Sequence, residues 1–191
     1  MPRTIKLTSR FEDALVFAVR KHANQTRKQS EVPYIAHLLG VASLVLEDGG
    51  DEDETIAALL HDAVEDQGGL ITLEEIQTKF GEKVAKIVEF CTDSFGQPKP
   101  EWRSRKESFL ASIESGNISG WRVALADKVY NARATLRDAM KEGDQVWKKF
   151  HGGKEGTLWY YQELLRRFSM VYDGDLLEEF REIVERLMQL T

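Results

Sequence analysis

The stretch His61-Asp62-Ala63-Val64-Glu65-Asp66 sets an imidazole and three carboxylates close together. An adjacent His-Asp pair offers one nitrogen and one oxygen ligand, which suits a borderline divalent cation such as Mn²⁺ or Fe²⁺. The pair lies in an apolar run in which Ile56, Leu59, Leu60 and Ala63 keep the i, i+3, i+4, i+7 spacing of a buried helical stripe. On one continuous helix His61 would lie a turn below Glu65, and Asp62 a turn below Asp66. Charged groups are seldom set beside such a stripe unless they are paired or bind metal. The cluster is therefore expected to line a pocket.

Two ligands do not make a site, so others must come from elsewhere in the chain. His37 opens a run in Pro33-Tyr34-Ile35-Ala36-His37-Leu38, and Asp127 interrupts another in Val123-Ala124-Leu125-Ala126-Asp127-Lys128-Val129. Each is polar where core would be expected. Taken singly, His37 could equally cap a helix or sit hydrogen-bonded in the core, and Asp127 could pair with Lys128 or Arg122 on a helix surface.

The elements that must position these residues read as helical almost throughout. Phe11, Ala14, Leu15, Ala18 and Val19 mark a first amphipathic helix, capped by Thr8 or Ser9. A second helix runs through His37 to Leu44 and breaks at Gly49-Gly50, and Gly68-Gly69 ends the His61 helix. Thr72-Leu73-Glu74-Glu75 is expected to cap and open a short helix, and Phe80-Gly81 separates it from a stripe of Val84, Ile87, Val88 and Cys91. Residues 93–101, with Gly96, Pro98 and Pro100, carry the strongest loop signal and read as a connector or flap. Helical pattern resumes over 103–114 and 121–140, a second loop is expected over 150–156, and two helices close the chain. No strand pattern is convincing, and the expectation is an all-α fold of eight to eleven helices in a single domain spanning 1–191.

Bulk properties exclude several classes. The chain has 191 residues, 42% of them hydrophobic, enough for a full-sized core. No uninterrupted apolar run is long enough for a membrane span, and Met1 to Lys6 lacks the apolar core of a secretory signal. A single cysteine, Cys91, suits a reducing cytosol. A net charge of −6 argues against broad nucleic-acid binding, although local basic clusters can still recognise a small polyanion. These features point to a cytoplasmic protein and leave homo-oligomerisation open.

The order His … His-Asp … Asp resembles that of the HD-domain metal site. Arg27-Lys28, Pro33-Tyr34-Ile35-Ala36-His37 and Ala58 to Asp66 resemble the hydrolase domain of the RelA/SpoT alarmone enzymes. Phe80-Gly81, Thr92-Asp93 and Leu125-Ala126-Asp127-Lys128-Val129-Tyr130-Asn131 match further words of that domain in the same order. The resemblance covers about Phe11 to Asp138 strongly and the remainder weakly. With no room for the synthetase, TGS or ACT regions of the long enzymes, the chain looks like a stand-alone small alarmone hydrolase.

The resemblance implies an HD-domain helical bundle that removes the 3′-pyrophosphate from guanosine tetra- and pentaphosphate, with one Mn²⁺ as cofactor. It implies His37, His61, Asp62 and Asp127 as metal ligands, and Glu65 and Asp66 as the acidic pair that positions or deprotonates the attacking water. Arg27 and Lys28 fall where the family has a phosphate-contacting basic pair, Lys106 resembles another basic position near the substrate, and Asn131 matches one near the ribose and base. Lys154 in the second loop is a further candidate cation. Tyr34, Trp159 and Tyr161 could stack on a base, although aromatics at helical spacing are more often core. His22 resembles a first-helix position and is expected to support or pack. The long enzymes usually carry Thr one turn beyond Asn131, where this chain has Ala134 followed by Thr135, which leaves open how the guanosine is held.

Two other readings keep the same site: hydrolysis of another nucleotide such as NADPH, and binding without turnover. The second predicts loss of a ligand or of the acidic pair, and all six positions are present.

Overall fold

The computed structural model describes residues 5–28, 30–96 and 98–190. Among these residues it is all-α: α1 (Ser9–Lys21), α2 (Ile35–Glu47), α3 (Glu52–Leu60), α4 (Ala63–Gln67), α5 (Gly69–Phe80), α6 (Glu82–Cys91), α7 (Trp102–Ser112), α8 (Ile118–Glu142), α9 (Gly153–Val171) and α10 (Asp175–Gln189). Short 3-10 turns follow α7 (Ile113–Ser115) and α8 (Gly143–Lys149). The one extended pairing among the described residues is an isolated bridge between Thr26 and Pro33. None of these helices is long and apolar enough to cross a membrane.

The bundle is built around α3 and α8. From Glu54 to Leu60 every residue of α3 is buried, the pattern of a helix enclosed on all sides. It packs against α1, α2, α6 and α8. Asp51 starts it with a capping box: its carboxylate accepts from the Glu54 amide at 3.0 Å, and the Glu54 carboxylate accepts from the Asp51 amide at 2.7 Å. Glu54 is itself buried, and Arg122 of α8 donates to both its oxygens at 2.9 Å. The same guanidinium donates to Asp48 at 2.8 Å, and Asp48 also accepts from the Tyr172 hydroxyl. One ionic cluster thus ties the end of α2, the start of α3, the start of α8 and the α9–α10 link.

At 25 residues α8 runs about 37 Å, long enough to touch α2, α3, α6, α9 and α10 along its length. It meets α2 closely at Gly40, where a Cβ would overlap the Tyr130 ring. That gap lets Tyr130 lie edge-on to His37 at 5.0 Å and donate to the Ala36 carbonyl at 3.2 Å.

Thr8 caps α1, accepting from the Arg10 amide at 3.2 Å, as the sequence suggests. Three expectations are corrected. The His61 helix is not continuous: α3 ends at Leu60, and α4 begins at Ala63 after a turn. The His61 ring donates from Nδ1 to the Ala58 carbonyl at 2.8 Å, the acceptor an unbroken helix would give to the Asp62 amide. Thr72 caps nothing; α5 already starts at Gly69, and the buried Thr72 hydroxyl donates to the Gln67 carbonyl at 2.9 Å. The second loop is shorter than expected, because α9 starts at Gly153. Gly152, at the N-cap, and Gly156, in the first turn, form a flat bed for the Trp102 ring, and that packing offsets the poor helix propensity of Gly156.

Candidate functional site

Three stretches of chain bring their side chains to one point. His37 projects from the first turn of α2, His61 and Asp62 from the break between α3 and α4, and Asp127 from the middle of α8. The two Nε2 atoms face each other at 3.3 Å. Asp62 Oδ2 lies 3.1 Å from His61 Nε2 and 3.4 Å from His37 Nε2, and Asp127 Oδ1 lies 3.6 and 3.2 Å from the same atoms. Ligand atoms of His37, His61 and Asp127 all fall within 4.8 Å of one another, and all three residues are buried.

This donor set fits a divalent metal. Two imidazole nitrogens and two carboxylate oxygens converge, the mixed N/O chemistry that borderline cations take. The bond from His61 Nδ1 to the Ala58 carbonyl fixes that tautomer and aims the Nε2 lone pair inward. Charge agrees: burial resists a proton on His61, yet Asp62 and Asp127 outweigh it and hold its pKa well above the ordinary value. Burial likewise resists ionisation of both aspartates. His61 and His37 still pull Asp62 well below the usual carboxylate range, and Lys128 with the two histidines does so for Asp127. A cluster that draws in a proton this strongly carries surplus negative charge, which a cation would neutralise.

Both aspartates carry further hydrogen bonds. Asp127 Oδ2 accepts from Lys128 at 2.7 Å, and its Oδ1 accepts from the Asn131 amide at 2.6 Å. Asn131 in turn accepts from Arg27 at 2.8 Å. The Tyr34 hydroxyl donates to Asp62 Oδ2 at 2.6 Å; burial and the Asp62 charge push its pKa far up, so it stays a donor.

The acidic pair on α4 borders this centre and meets the 93–101 loop. Lys99 donates to Glu65 at 2.6 Å and to Asp66 at 3.3 Å, and Asp66 also accepts from Gln25 at 2.8 Å. Burial and then the Asp93 charge raise the Glu65 pKa, with Lys99 pulling the other way. Asp93 is gripped by Arg105 at 2.7 and 2.9 Å and by Lys106 at 2.8 Å. Burial opposes its ionisation, but Lys106 and Arg105 prevail and hold its carboxyl well below the usual range.

Of the residues expected from sequence, the structure gathers His37, His61, Asp62, Asp127, Arg27 and Asn131 in one connected cluster. Glu65, Asp66 and Lys106 stand on its rim. Lys28 is exposed and unpaired among the described residues. Lys154 sits on the first turn of α9, paired with Asp144 at 2.8 Å. Tyr161 is 6% exposed, with its ring edge-on to Phe180 and its hydroxyl bonded to Thr135, so no face is free to stack on a base. Trp159 is covered by the Arg103 guanidinium 3.3 Å from its centroid. Sequence reasoning missed Lys99, Arg105, Asp93 and Gln25. Lys99 stands between Pro98 and Pro100 in the segment read as a flap, and Asp93 ends the Thr92-Asp93 word, so two of the four lay in stretches already marked.

The described geometry is that of an HD domain: the HD domain family model matches residues 14–158, and the chain belongs to that family. Particular relatives are the MESH1 proteins, named guanosine-3′,5′-bis(diphosphate) 3′-pyrophosphohydrolases. The chain is 44% identical to the Xenopus tropicalis protein over 140 residues, covering 72% of this chain and 73% of that one. It is 41% identical to the Homo sapiens protein over 153 residues, covering 78% and 80%. The solved structure of a metazoan SpoT ortholog that hydrolyses ppGpp matches with a TM-score of 0.78 at 25% identity, covering 95% of this chain and 97% of that one.

Proposed function

We propose that the protein is a cytoplasmic, Mn²⁺-dependent guanosine-3′,5′-bis(diphosphate) 3′-pyrophosphohydrolase that converts ppGpp or pppGpp to GDP or GTP plus pyrophosphate. The observation that carries this reading is the convergence of His37, His61, Asp62 and Asp127 beside a partly desolvated Glu65. The activity named for the MESH1 relatives supports the choice of substrate.

His37, His61, Asp62 and Asp127 would hold one divalent ion, which supplies Lewis acidity toward a phosphoryl group and toward water. Glu65 takes a proton from the attacking water, whose oxygen bonds to phosphorus as the bond to the ribose 3′-oxygen breaks. The 3′-oxygen of the GDP leaving group takes up the proton that Glu65 removed from the water, and the attacked diphosphoryl group is released as pyrophosphate. Asp66, held by Gln25, orients the water alongside Glu65. Lys99, Arg105 and Lys106, paired with Glu65, Asp66 and Asp93, supply three cations that a diphosphate could share with those carboxylates. Arg27, bonded to Asn131, supplies a further guanidinium suited to bidentate phosphate contact.

Metal-stripped protein incubated with ppGpp and Mn²⁺ tests the reading. GDP and pyrophosphate should form, and both chelator and Asp62→Ala should abolish them. An Mn²⁺-loaded protein that leaves ppGpp intact would overturn the substrate assignment and direct the assay to NADPH and other nucleotides.

A further inference from the structure

We infer that the α1–α2 connection is a bracket that orients both carboxylate ligands of the metal centre, with Tyr34 and Arg27 as its positioning residues. The inference rests on the metal reading above and goes beyond it, because it assigns these side chains a role that precedes substrate.

The connection is pinned as two short antiparallel arms, residues 25–28 and 30–34. The Arg27 amide donates to the Val32 carbonyl at 2.9 Å, and the Tyr34 amide donates to the Gln25 carbonyl at 2.9 Å. This pairing sets Gln25, Arg27 and Tyr34 side by side, and each reaches a different part of the site. Tyr34 donates directly to Asp62 Oδ2. Arg27 donates to Asn131, and Asn131 donates to Asp127 Oδ1. Gln25 donates to Asp66.

None of the three side chains is free to turn away. One face of the Tyr34 ring stacks on buried His22 at 5.1 Å with 17° between planes, and the Arg27 guanidinium lies 5.7 Å from its centroid. The Gln25 oxygen accepts from His22 Nδ1 at 2.7 Å and from Gln67 at 2.6 Å, which turns its amide nitrogen toward Asp66. The terminal torsion of a carboxylate is soft, so an Asp without such a partner would hold its ligand oxygen loosely. Here the two oxygens that approach the histidines, Asp62 Oδ2 and Asp127 Oδ1, are the two that the bracket reaches. Partners of this kind typically change metal affinity by 10- to 100-fold when removed.

The test is Mn²⁺ affinity without substrate, read from the electron paramagnetic resonance of free Mn²⁺, for wild type, Tyr34→Phe and Arg27→Met. Tyr34→Phe keeps the ring and loses only the hydroxyl; its Kd should rise about tenfold or more with an unchanged circular dichroism spectrum. Arg27→Met should also weaken Mn²⁺ binding, severalfold, an effect that a purely phosphate-contacting Arg27 would not produce. The second variant decides the matter should the first misfold. Wild-type affinity in the folded variants overturns the bracket and leaves the metal reading standing. A wild-type protein that takes up no Mn²⁺ overturns both.

Discussion

Glu65 is under opposed influences: burial and Asp93 favour its protonated form, while Lys99 favours the carboxylate, and the first two win. As the proposed general base it must be ionised, so the rate should fall as pH drops through a point above the ordinary glutamate range. Removing the cation should move that point higher, and the pH profile of kcat/KM for wild type against Lys99→Met measures the shift. Glu65→Gln should lower kcat by about 10²- to 10⁴-fold while Mn²⁺ binding persists, which a turnover assay paired with a metal titration would show. His37, His61 and Asp127 could be read in the sequence because each interrupts an apolar run where a polar group must have a reason. Gln25 and Lys99 could not, because each is an ordinary polar residue whose partner lies some forty or thirty-four positions away. In sequence Tyr34 reads as an aromatic for packing or base stacking; its contact with Asp62 depends on the pairing of Gln25 with Tyr34, which no periodicity reveals.

Among the elements, the patterned helices α1, α2, α6 and α10 form where their apolar stripes place them, although Val19, counted in the α1 stripe, is exposed. The errors fall where a side chain or a distant ring overrides local preference. His61 takes the Ala58 carbonyl and breaks α3 from α4, and Trp102 stabilises a helix start that its glycines alone would not favour. Close packing of α2 on α8 has a measurable consequence. Gly40→Ala would drive a methyl group into the Tyr130 ring, costing about 1–3 kcal/mol of stability by overpacking, as read by denaturant titration. Since Tyr130 lies against His37, the same substitution should also weaken Mn²⁺ uptake.

Across the molecule, the Arg122 cluster joins parts of the chain that the sequence gives no reason to associate. Arg122→Met would leave Asp48 and the buried Glu54 without their cation, and global stability should fall by about 3–5 kcal/mol in thermal or denaturant unfolding. The all-α architecture was legible from helical periodicity alone, whereas the tertiary ties were not, since charge pairs across the fold leave no pattern along it. The metal centre has the same long-range character, for its donors come from α2, the α3–α4 break and α8. An ion held there acts as a reversible crosslink, closing loops that the unfolded chain leaves open. Folding and metal supply then become linked quantities: at a free concentration of the bound cation a hundred times its Kd, the folded state gains about 2.7 kcal/mol. Falling metal concentration would therefore shorten the lifetime of the protein as well as silence its chemistry.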